Sequence, residues 1–166
     1  MASEEPSEEP ETPVTSEVPP VSEGAIEVPK LQLTQLYQEE QIQVSYQGYQ
    51  LYQEYPEKVE ENAFVVEASF GKQLLVLFFE LENVKQEKNE LSLIGKDYSF
   101  ALQGEEGSQK PLMTFLLNDL QYYEASLAEG EKKEVILVFE AGEDFSPEMY
   151  QLEFKKGEES GSISIK

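Results

Sequence analysis

Most of the side chains in this sequence that could do chemistry are carboxylates. Glu80 and Glu82 stand two apart in FFELEN, a spacing that puts both on one face of a strand. Such a pair can divide acid and base work around a scissile bond. The chain holds 31 Glu, however, and close pairs arise by chance on any solvated strand face. A serine activated by lysine needs a positioned pair, and neither Ser99 nor Ser126 has a motif around it. GEEGS and AGEDFSPE gather Glu105, Glu106, Glu143 and Asp144, oxygen donors of the kind a hard cation takes. No EF-hand spacing accompanies them, and Asp, the usual loop ligand, occurs three times in all, so weak calcium binding is the most these loops should show.

Cys, His, Trp and Arg are missing altogether. Their absence removes thiol nucleophiles, imidazole bases, zinc sites, disulfides and the bidentate guanidinium clamp for phosphate. The expectation is no catalytic residue, no metal site and no cofactor, with the ligand-binding residues unassigned. A formal charge of −22 without a basic patch also repels nucleic acid, which is not expected as a partner. Tyrosine is the remaining oddity: five of nine fall between residues 37 and 55. Tyr combines contact area with a polar tip and suits binding surfaces, but it is also a favoured strand residue. Tyr49, Leu51 and Tyr55 have one parity and Tyr46 and Tyr52 the other, so they share a face only if Gly48 makes a bulge.

The elements that would position these groups are strands. LLVLFF (74–79) is too short to span a bilayer in a helix. Its flanks turn charged on one parity only, at Glu80 and Glu82, as a strand does when one face leaves the core. It is expected to be a central strand buried on both sides. QIQVSYQGYQLY (41–52) alternates, and AFVVEASF (63–70) reads as a second β-rich run, joined to the central strand by Gly71-Lys72 in a hairpin or as one bulged strand. ELSL (90–93) and DYSFAL (97–102) are short strands, and GEEGSQKP (104–111) is a loop. LMTFLL (112–117) and LQYYEASL (120–127) follow, the latter also readable as a helical turn. EVILVFEA (134–141) sets Val135, Leu137 and Phe139 against Ile136 and Val138; MYQLEF (149–154) and SISI (162–165) close the chain. About eight short strands with no helical periodicity predict an all-β, immunoglobulin-like antiparallel β-sandwich over residues 30–166.

Residues 1–29 form a separate unit, with eight Glu, six Pro, no Lys and no aromatic residue. They cannot bury enough surface to offset ordering entropy and are expected to be a disordered acidic linker. As a flexible coil they would average ~30 Å end to end, and as an extended polyproline-like chain ~90 Å. The remainder carries 12 Lys against 26 carboxylates, a net −14.

The strand ending in Asn, LLVLFFELEN (74–83), DYSFAL (97–102) leading to Gly107, LAEGEKKEVILVFEA (127–141) and YQLEF (150–154) together resemble a family of small immunoglobulin-like domains of unknown function. Its members occur in secreted proteins and lipoproteins of Gram-positive bacteria and are related in fold to a secreted immunoprotective mycobacterial antigen. The resemblance covers about three quarters of the chain. Glu129 stands where members often have Pro, which implies a looser turn. No catalytic residues come with the family. It implies an exported, surface-tethered domain, with residues 1–29 as tether and a lipid-bearing cysteine upstream of residue 1. Membrane contact is expected only through that anchor, which this chain does not contain. The function expected is non-enzymatic and extracellular, binding a protein or a polysaccharide. The alternatives are a self-associating structural subunit or a Glu-based hydrolase.

Overall fold

In the computed structural model, which describes residues 30–56, 64–105 and 107–166, the chain forms antiparallel sheets joined by single 3-10 turns. The first strands are β1 (Ile42–Tyr52), β2 (Glu54–Tyr55), β3 (Val66–Glu67), β4 (Lys72–Asn83), β5 (Asn89–Ser92) and β6 (Tyr98–Gly104). There follow β7 (Gly107–Gln109), β8 (Glu124–Leu127), β9 (Lys132–Gly142), β10 (Gln151–Lys156) and β11 (Glu159–Ser164). One main sheet has the order β1-β4-β9 and the other β11-β10-β6-β7, with β2-β3 and β5-β8 as two-stranded satellites. Matched to A, B and E against G, F, C and C′, this is the strand order of an immunoglobulin-like sandwich.

Period two decides what each main strand buries. Leu75, Leu77, Phe79 and Leu81 of β4 and Val135, Leu137 and Phe139 of β9 face Phe100, Leu102, Leu152 and Phe154 of the second sheet in one core. Leu74 and Val76 of β4 and Ile136 and Val138 of β9 point the other way and are equally buried. Central, two-sided burial of 74–79 and the split of 135–139 are as the parity predicts. The bulge is also present: β1 shifts register against β4 between Tyr46 and Gly48, and Gly48 has φ 127°. That conformation is open to glycine and costly for a residue with Cβ.

Several expectations about single segments are corrected. AFVVEASF does not pair with β4 in a hairpin: Ala63 lies outside the described residues, and among 64–70 only Val66–Glu67 is strand, paired with Glu54–Tyr55. The outer face of β4 and β9 is apolar and must be covered. Val66 and Ala68, with Tyr52 and Tyr55, lie over it, and Gly71 at φ 77° turns the chain into β4. GEEGSQKP contains a short strand, β7, paired with β6. LMTFLL is not a strand; it runs beside β9 without a continuous ladder. The strands number eleven among the described residues rather than about eight, and the first three residues of SISI end a strand that begins at Glu159. LQYYEASL is a 3-10 turn at Leu120–Tyr122 followed by β8. The expected linker 1–29 lies outside the described residues.

Asn83, the last residue of β4, is a buried hub. Its Nδ2 donates to the carbonyls of Glu87 (3.1 Å), Leu127 (3.3 Å) and Ala128 (2.9 Å). Its Oδ1 accepts from the amide of Lys85 (3.0 Å) and from Asn89 Nδ2 (3.2 Å). This ties the end of β4 to the turn before β9. The turn is not loosened by Glu129, because the Ala128 amide donates to Glu131 Oε1 at 2.8 Å and the Glu131 amide to Ala128 O at 3.0 Å.

Candidate functional site

The carboxylates weighed from sequence do not converge. Glu80 lies on the outer sheet face with Lys132 Nζ at 4.0 Å, and Glu82 is Lys132's partner in the β4–β9 register. Ser126 Oγ donates to Glu90 Oε2 at 3.1 Å on the exposed face of the β5–β8 pair. Asp144 edges a depression beside Gly104 and Gly107, and Glu106 lies outside the described residues. Among the described residues, no three Asp or Glu side chains come together as a cation would need. The tyrosines are divided between two cores. Tyr46 donates to Ile165 O at 2.7 Å and packs 5.5 Å from Phe79, ring to ring. Burial, and then the neighbouring Tyr49, pushes its hydroxyl pKa up. Tyr49 meets Phe145 edge-on at 5.6 Å, while Tyr55 sits on Phe78 at 6.1 Å on the outer side. The bulge places Tyr46 and Tyr49 together, but the cluster is packing, not a row.

A different segment stands out. Residues 110–119 run along the outer edge of β9. The Leu112 amide donates to Val138 O at 2.7 Å, and the Ile136 amide donates to Asn118 O at 2.9 Å. Between these anchors lies a polar lock. Thr114 Oγ1 donates to Asp119 Oδ2 at 2.7 Å, and the amides of Leu116 and Gln121 donate to Thr114 Oγ1 (3.2 Å) and Asp119 Oδ1 (3.0 Å). Gln121 Nε2 reaches back to Leu112 O at 3.0 Å. Asp119 is fully buried. Desolvation raises its carboxyl above the ordinary Asp value, against the pull of these hydrogen bonds.

The lock inverts the usual polarity. Thr114 is buried, and Leu112 and Leu116 pack on the outer core, while Met113, Phe115 and Leu117 are 81%, 78% and 93% exposed. Phe64 joins them, its ring 5.5 Å from that of Phe115. Exposed apolar side chains on soluble domains are normally scattered singly. Here they project at alternate positions from a backbone already fixed by hydrogen bonds. Met113 also borders a cleft of about 430 Å³ between this segment and β6, lined by Ile94, Tyr98, Tyr122 and the lysines Lys96 and Lys110. Lys96 pairs with Glu40 at 3.5 Å, and Tyr98 donates to the same carboxylate at 3.2 Å. Burial, and then Glu40, raises the Tyr98 hydroxyl pKa, so it stays a donor. Sequence reasoning missed this surface because LMTFLL has the composition of a buried strand. The one available signal was Thr114, a polar residue in phase with the leucines that are buried.

No family model matches the chain, and no curated protein does. Among solved structures it is similar to an uncharacterized β-sandwich protein from Clostridium difficile 630, at 14% identity and TM-score 0.51, over 76% of this chain and 87% of that one. A Bacillus subtilis protein, yjhA, scores 0.43 at 12% identity over 69% and 74%. A second Bacillus subtilis protein, provisionally called a lipoprotein, scores 0.40 at 14% identity, over 75% of this chain and 37% of that one. The first likeness shows a shared β-sandwich and nothing about activity; the weaker two add no argument. The solved chains it matches come from Gram-positive bacteria. No helix among the described residues is long and apolar enough to cross a membrane.

Proposed function

We propose that this is a non-enzymatic binding domain displayed outside a Gram-positive-type cell, and that it binds a protein through the Met113–Phe115–Leu117 row. The observation that carries the reading is the row itself: large apolar side chains held out by a hydrogen-bonded scaffold. A surface ordered in advance loses little freedom on binding, which is where affinity is most easily forfeited. Met and Phe are also enriched at protein interfaces. Protruding Met and Leu suit a protein better than a sugar, which stacks on flat aromatic faces. Display outside the cell is supported by the acidic, Pro-rich residues 1–29 and by the resemblance of the strand motifs to those of exported domains.

The test uses the immobilised full chain against a Gram-positive envelope extract, beside the triple variant Met113→Ser, Phe115→Ser, Leu117→Ser. The variant should keep its unfolding midpoint, because these side chains are already in water. A protein retained by the natural row and lost by the variant supports the assignment. Equal retention by both overturns it, and retention of purified cell-wall polysaccharide by both moves the ligand class to sugar.

A further inference from the structure

Among the described residues, the long sheet edges are closed with one exception. The outer edge of β9 is occupied by residues 112–118. The outer edge of β11 is met by Leu31, whose amide donates to Ser160 O at 2.9 Å. Gly161 beneath it has no room for a Cβ against the Leu31 carbonyl. The edge strand β7 is only three residues long. On β1, by contrast, the backbone from Gln43 to Leu51 makes no hydrogen bond beyond β4 among the described residues. Free edges of this length are templates for strand pairing, and proteins usually blunt them with lysine or another charge.

This edge has no such guard. From Gln41 to Gln53 the sequence reads QIQVSYQGYQLYQ, thirteen residues without a charge, in a chain of which 28% is charged. Glu40 and Glu54 bracket it. Residues 30–166 carry a net −14, so two copies repel one another over most of their surface. The β1 strip is where they can meet without setting like charges against each other. Its outward side chains Gln43, Gln47 and Gln50 are exposed carboxamides, each both donor and acceptor and therefore complementary to themselves. A twofold interface requires that kind of self-complementarity.

We propose that two copies of the chain associate through β1, antiparallel about a twofold axis near Gln50, to form one continuous sheet β9-β4-β1-β1-β4-β9. The bulge at Tyr46–Gly48 limits the pairing to part of the strand, which favours a closed pair over an open-ended fibre. The association is independent of the binding row, which flanks β9 at the opposite edge of the same sheet. A dimer would leave two rows open, one at each end.

The experiment is sedimentation equilibrium of the full chain over a wide concentration range at low and high salt. A dimer population that grows with concentration is expected, and it should strengthen with salt, because screening lifts the like-charge repulsion. Gln50→Glu places two carboxylates beside the axis and should weaken the dimer about tenfold at low salt, with the penalty shrinking at high salt. Gln47→Glu is the second variant, and an unchanged circular dichroism spectrum confirms that each one folds. A single-chain mass at every concentration and salt overturns the proposal and leaves the edge to a strand from another protein. A dimer indifferent to both Gln variants but abolished by Phe115→Ser also overturns it, by putting the contact on the row.

Discussion

Two runs of six residues, LLVLFF at 74–79 and LMTFLL at 112–117, have nearly the same composition and opposite fates. The first sits between β1 and β9, with every backbone group in a ladder and side chains sealed on both faces, Phe78 alone being half-buried. The second lies beside β9 with anchors at its ends, and it spends its middle backbone on a local lock around Thr114 and Asp119. Apolar content is common to both. What separates them is what lies over each face: β4 has the second sheet on one side and Tyr52, Tyr55, Val66 and Ala68 on the other, whereas Met113, Phe115 and Leu117 face water. A run at the margin buries one parity and presents the other.

The sharpest way to break this comparison is to truncate one side chain in each run. Leu77→Ala removes buried methyl groups from the sandwich core and should cost about 2–5 kcal/mol. Phe115→Ala removes a larger side chain from the margin and should change stability by no more than about 0.5 kcal/mol. Urea midpoints with constant slope measure both. Equal losses would mean that Phe115 is covered in solution, and the contrast between the runs would collapse.

A smaller effect tests what holds the marginal run in place. Asp119→Ala strips the acceptors from the Thr114 hydroxyl and the Gln121 amide, which should cost about 1–3 kcal/mol. The damage should be local. Hydrogen exchange at the Leu112 and Ile136 amides, which bind the segment to β9, should accelerate well before exchange at Leu77. Acceleration spread evenly over both sites would show that the lock belongs to the global core.

Both runs bear on what could be read in advance. The two-faced burial of β4 and β9 was legible because charged residues break one parity at their ends, and the bulge was legible in a lone glycine amid alternation. The lids were not. AFVVEASF and LMTFLL have strand composition, and composition does not reveal whether a neighbouring strand is free to pair. The polar anchors were equally hidden. Asn83 and Asp119 look like turn residues in sequence, and only the fold shows that each gathers backbone groups from distant segments. The surface row was hidden in the same way: LMTFLL reads as a strand, and which of its side chains face water depends on where the segment docks.

The smallest effect concerns the charge of the lock. Burial raises the folded-state pKa of Asp119 above its unfolded value near 3.8, so the folded protein holds that proton more tightly. The corresponding stability is fully present below the unfolded pKa and is lost as pH rises through the folded one. Burial thus favours the protonated carboxyl, while the hydrogen bonds from Thr114 and Gln121 favour the ionised one. Asp119→Asn removes that titration while keeping a carbonyl for the Gln121 amide and a polar contact for Thr114. The difference in unfolding free energy between the natural chain and the variant should thus move toward the natural chain as pH falls from neutral toward 4. No comparable movement is expected from Leu77→Ala, since the central run is held without charge. A difference that stays flat with pH would place a cation or water beside Asp119 and put the marginal run under a different kind of control.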